Sequence, residues 1–166
     1  AVSHLNPYLS SGTKEINASS LVIEPLVRYD AEGNYVPWLV TELPTIENGG
    51  VAADFTSITY TLLPGLEWSD GTPVTSRDVE FTWEYCVGAT GCASRGFFSN
   101  IDRFTLTDDS TFTIHFDAPK PVPYSAFVGQ QTPVLQEAQF ANCMGDAAQT
   151  CTDQNFYPIG TGPFVP

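Results

Sequence analysis

Apolar and polar residues alternate most cleanly from Ser57 to Leu63. Ile58, Tyr60 and Leu62 face one way, and Ser57, Thr59 and Thr61 face the other. A period of two predicts a half-buried strand, stopped by Pro64-Gly65. The same period recurs at Phe104 and Leu106 and at Phe112, Ile114 and Phe116, joined by Asp108-Asp109-Ser110 as a hairpin. An earlier hairpin is expected where Leu26–Tyr29 and Tyr35–Val36 flank the turn residues Asp30 to Asn34. The period changes after Ser69-Asp70-Gly71. Val79, Trp83, Cys86 and Val87 fall on one face of a helix, opened by the capping-box variant Thr75-Ser76-Arg77-Asp78 and ended by Gly88 or Gly91. Three shorter helices are predicted. Asn17 would cap one over Ala18 to Glu24, Tyr124 to Val128 would form a second, and Thr132-Pro133 would open a third to about Asn142.

These elements make an α+β chain, and 166 residues suffice for one domain with a core. With 13 Gly, 13 Pro and 42% hydrophobic residues, the chain reads as loop-rich and folded. Six Lys and Arg face 19 Asp and Glu, for a net charge of −13, which argues against nucleic acid and anionic membrane as partners. No apolar run is long enough to span a bilayer. No signal peptide opens the chain, and an exported protein would carry one before Ala1.

Four cysteines, Cys86, Cys92, Cys143 and Cys151, allow three connectivities. The short spacings favour Cys86–Cys92 and Cys143–Cys151, which would place the chain in an oxidising, extracytoplasmic compartment. The rival reading is four free, buried thiols. No Cys-x-x-Cys pair is present and both histidines, His4 and His115, lie far from the cysteines, so no metal site is expected. His115 sits on the strand face opposite Ile114 and Phe116, a surface position. No nucleophile motif marks a catalytic serine, and Gly160-Thr161-Gly162 lacks the lysine of a phosphate loop. A binding role fits better than catalysis, and no catalytic residue or cofactor is assigned.

The run Tyr60 to Phe81, with Gly65, Trp68-Ser69-Asp70-Gly71-Thr72-Pro73-Val74-Thr75 and Asp78-Val79 at its centre, resembles the signature of the family 5 extracellular solute-binding proteins. These are the oligopeptide-, dipeptide- and nickel-binding components of bacterial ABC importers. Leu5-Asn6-Pro7, then Leu26-Val27-Arg28-Tyr29-Asp30 with Pro37-Trp38-Leu39, then Pro158-Ile159-Gly160-Thr161-Gly162-Pro163-Phe164 agree with the family in order, although Val40 stands where alanine is usual. The central motif is explained by turn and cap chemistry and says nothing of the ligand.

The resemblance implies the first-lobe portion of a two-lobed, periplasmic-binding-protein-like II fold, in proteins roughly three times this length whose lobes close on ligand. It divides the chain into an opening segment of the main lobe (1–40), an inserted α+β domain (41–157) and a return connector (158–166). It implies a non-enzymatic monomer in the periplasm or at the cell surface, lipid-anchored in some full-length forms, that hands a peptide to an ABC permease. An oligosaccharide, a metal chelate, a receptor or adhesion role and a secreted hydrolase are the alternatives. The loop Ser11-Gly12-Thr13 corresponds to a family loop near the cleft, where glycine lets a ligand backbone approach. Gln130 and Gln131 are further candidates, and a plain surface loop is the competing reading.

Overall fold

The computed structural model describes residues 1–166. Its centre is a three-stranded antiparallel sheet in the order β3-β5-β4, formed by β3 (Ser57–Thr61), β4 (Ile101–Leu106) and β5 (Thr111–Phe116). The period of two reads directly onto its faces. Ile58, Tyr60, Phe104, Phe112, Ile114 and Phe116 are buried on one side. On the other side Thr59 meets Thr113 at 2.8 Å, and His115 meets Thr105 at 2.8 Å. A register shift between Ile101 and Arg103 marks a bulge in β4.

The helix α2 (Ser76–Gly88) begins where the capping box predicts. The Asp78 carboxylate accepts the Thr75 N–H at 2.9 Å and the Trp68 indole N–H at 3.2 Å. Its buried stripe differs from expectation. Val79 and Cys86 are buried, but Phe81, Thr82 and Tyr85 join them, Trp83 is half-buried and Val87 is exposed. The helix lies between two layers, which explains the wider stripe. Trp83 stacks on Phe104 of the sheet, with ring centroids 5.3 Å apart, while the Thr82 hydroxyl accepts the Leu135 N–H at 2.9 Å on the far side.

The first hairpin pairs β1 (Val27–Tyr29) with β2 (Tyr35–Pro37). Its turn is tied by Asp30, which accepts the Glu32 and Asn34 N–H groups at 2.9 and 2.8 Å. The free edge of β1 accounts for one correction. Tyr124 to Val128 is not helical, because Phe127 accepts the Leu26 and Val27 N–H groups and Val128 bridges Val27 in parallel.

Two other helices also fall short of their expected ranges. The helix α1 spans Thr13–Ser19 and starts at Gly12, whose carbonyl accepts the Ile16 N–H, and Asn17 lies inside it. The expected stretch to Glu24 cannot be helical, because the Leu21 and Val22 carbonyls accept the N–H groups of Phe164 and Gly162. The helix expected over 132–142 shrinks to α3 (Glu137–Phe140). Its first half is held extended by Val134 N–H on the Glu24 carbonyl and by the Leu135 bond to Thr82.

The pairs Cys86–Cys92 and Cys143–Cys151 are disulfide-bonded, and no free cysteine remains. The loop between the second pair is not plain coil. It holds a 3-10 turn (Gly145–Gln149), and α4 (Thr152–Phe156) follows it. One continuous hydrophobic cluster joins Tyr8, Leu26 and Val40 to Phe112, Tyr85, Phe140 and Cys143.

Candidate functional site

The loop Ser11-Gly12-Thr13 is presented from a rigid base. The buried Asn6 just before it donates to Tyr85 at 3.0 Å and to Asn155 at 2.8 Å, and its own oxygen accepts the Tyr8 N–H at 3.1 Å. The Tyr8 hydroxyl in turn donates to the Pro133 carbonyl at 2.5 Å. Ser10 caps the loop by accepting the Gly12 N–H at 3.0 Å.

The segment Phe127 to Gln131 runs alongside. Pairing with β1 turns it outward through positive φ at Phe127 (62°) and Gly129 (85°). Glycine is favoured at 129 on two counts. Its φ is left-handed, and a Cβ there would meet Tyr29 Cε2 at 3.1 Å.

Three surface depressions follow this segment. One of about 80 Å³ is lined by Ser10, Ser11, Ile16, Ala93, Ser94 and Gln131. The next, about 290 Å³, lies among Tyr29, Phe97, Val128, Gly129, Gln130 and Gln131. The third, about 350 Å³, is walled by Ser20, Arg28, Tyr29, Gly129 and Gln130. Shared walls make them one chain of hollows, with hydroxyls at one end, two exposed aromatic rings in the middle and a guanidinium at the other.

The structure therefore brings Ser11 together with Gln131, about 120 residues away in sequence, a closeness set by tertiary folding rather than local spacing. Gln130 reaches back to Asn17 of α1 at 3.1 Å. Gly12 and Thr13 do not line a depression; Gly12 is the N-cap of α1 and Thr13 its first residue. Tyr29, Phe97 and Arg28 were not singled out as site residues from the sequence. Their only signal was polar or aromatic character on a short hairpin strand and in a loop, and their convergence depends on the pairing of β1 with residues 127–129. Burial, helped by neighbouring Tyr35, pushes the Tyr29 phenol up from its ordinary value.

Elsewhere the chemistry is sparse. No group of three or more His, Cys, Asp or Glu side chains converges as a metal site, and no helix is long and apolar enough to cross a membrane. The His115 imidazole is held below its ordinary value by burial and by Arg103.

The fold matches a crystal structure of Haemophilus influenzae OppA in complex with RPPGFSPFR (TM-score 0.77, 24% identity, 97% of this chain and 33% of that one). It also matches NikZ from Campylobacter jejuni in complex with Ni(L-His) (TM-score 0.80, 21% identity, 99% of this chain and 31% of that one). In sequence the chain is 30% identical over 145 residues to the periplasmic oligopeptide-binding protein OppA of Salmonella typhimurium, covering 76% of this chain and 25% of that protein. The model of the bacterial extracellular solute-binding proteins, family 5 Middle, matches residues 34–166. The chain belongs to this solute-binding family, and it spans about a quarter of the length of the curated relatives it matches.

Proposed function

We propose that this chain is the first-lobe portion of the substrate-binding component of an ABC importer, capturing a peptide outside the membrane and delivering it to the permease. The observation that carries the reading is the run of three hollows along Val128 to Gln131. An extended ligand needs contact spread over several positions, with polar groups fixing its backbone and apolar walls taking its side chains. In this reading Ser11, Gln130 and Gln131 meet the ligand, Gly12 and Thr13 hold the loop that carries Ser11, and the facing wall comes from the remainder of the full-length protein. Residues 1–40 open the main lobe, 41–157 form an inserted domain, and 158–166 return to the main lobe. Both short disulfide loops support an extracytoplasmic location. The role is capture and release, with no bond made or broken in the solute.

The relatives' names favour peptide over other solutes, since the protein from Salmonella typhimurium is an oligopeptide-binding protein. The test is calorimetric titration of the full-length protein with short peptides, maltooligosaccharides and nickel–histidine. Peptide binding is expected, and replacing Gln130 and Gln131 together with alanine should weaken it by about tenfold, or about 1.4 kcal/mol. Binding of only a sugar or a chelate would overturn the peptide assignment, and equal peptide affinity in the double variant would remove these glutamines from the site.

A further inference from the structure

The hollow at the Arg28 end has a property that the rest of the surface lacks. Each of the other five Lys and Arg residues is occupied outside these depressions. Lys14 holds the Ala1 carbonyl and Glu15, and Arg77 holds Glu80, Glu84 and Glu137. Arg95 donates to Ala89, Arg103 pairs with Asp102, and Lys120 donates to Ser99 and Ser125. Arg28 alone among the cations lines a depression.

A structural role accounts for only part of its guanidinium. Nη2 donates to Glu24 at 3.1 Å and to the Ser20 carbonyl at 3.3 Å. The group also lies 4.2 Å above the Trp38 ring. Nε and Nη1 have no acceptor in the protein. Glu24 is buried and its oxygens are turned inward, where they accept from Trp38 Nε1, from Arg28 and from Thr161 at 2.8 Å. Glu24 and Ser20 thus fix the guanidinium at Nη2 and leave Nε and Nη1 without a protein acceptor, in a residue that lines the hollow shared with Gln130 and Ser20.

We infer that this pocket is an oxyanion subsite that takes a carboxylate of the bound solute, with Arg28 donating from Nη1 or Nε to one carboxylate oxygen. The inference deepens the binding reading above and rests on it for the link to a transported solute. Guanidinium suits the task because it is always charged and weakly hydrated, so it gives up water to an oxyanion more readily than an ammonium does. Tyr29 and Phe97 lie next along the hollows and supply the apolar neighbour that a carboxylate-bearing chain would need.

The stacking of Arg28 on Trp38 provides a reporter. The full-length protein would be titrated with succinate at constant ionic strength, and in parallel with inorganic phosphate, while tryptophan fluorescence is followed. A saturable change with succinate is expected, absent in Arg28→Gln and shifted to about tenfold higher concentration in Arg28→Lys, which keeps the charge and the Glu24 pair. If the Gln variant fails to fold by circular dichroism, the Lys variant is the one read. A non-saturating response, or one unchanged in both Arg28 variants, would overturn the inference, and equal saturation by phosphate would overturn the carboxylate assignment. Because succinate is not a peptide, failure here leaves peptide capture standing, and failure of peptides to bind leaves this subsite standing.

Discussion

Gly160 shows how far a single residue can be dictated by its neighbours. A Cβ at this position would lie 1.8 Å from the Val22 carbonyl oxygen, which is backbone and cannot swing away. Its own carbonyl accepts the Ser69 N–H at 2.8 Å, so the connector is held from both sides. Gly160→Ala should cost about 3 kcal/mol in chemical denaturation, through overpacking against backbone. Wild-type stability would contradict the close approach.

Asp78 is constrained differently. It is buried and accepts from Thr75, Trp68 and the Glu137 N–H, the last at 2.9 Å. Burial raises its pKa and those donors only partly oppose the rise. Its proton-linked stability is therefore full below the ordinary carboxylate value of 3.8 and declines as pH rises through the raised folded value. Asp78→Asn turns one of the two acceptor oxygens into a donor and should cost about 2 kcal/mol. That cost should be largest in acid and shrink as pH rises through this window, as read from denaturation at several pH values; a cost that grows with pH would contradict the assignment.

At the scale of elements, the sequence was most legible where one face of an element is buried and its ends are chemically marked. The strands β3 and β5 and the helix α2 meet both conditions, with alternation or a cap readable in isolation. It was least legible where tertiary hydrogen bonds decide. Val134 and Leu135 carry a helix-like pattern after Thr132-Pro133, yet their N–H groups are held by Glu24 and Thr82. Residues 124–128 are likewise drawn into pairing with β1. The same cause hid half of the candidate site, since Arg28 and Tyr29 meet Gln130 only after that pairing forms. The short spacings favoured the two local disulfides but left other connectivities and free thiols open, and the fold closes both local loops. Removing either one as a double alanine variant should cost about 2–3 kcal/mol, because each closes a short loop and restricts the unfolded chain. Thermal unfolding with and without reductant would check this, and an unchanged midpoint under full reduction would contradict it.

At the scale of the whole molecule, the sheet, α2 and the extended 132–136 segment form one base on which the hollows are carried. The acidic surface, at −13 overall, makes the lone cation-lined hollow electrostatically distinct. The broad fold match extends to proteins crystallised with ligands as different as RPPGFSPFR and Ni(L-His), so the fold alone does not set the ligand.

The central claim is that the protein carries a solute. Native mass spectrometry of the full-length protein, purified from its host without refolding, tests it most directly. A bound population heavier by the mass of a short peptide, lost on mild denaturation, is expected. A bare protein mass, together with no thermal shift from peptide, sugar or chelate libraries, would contradict it and leave a receptor or adhesion module as the better reading.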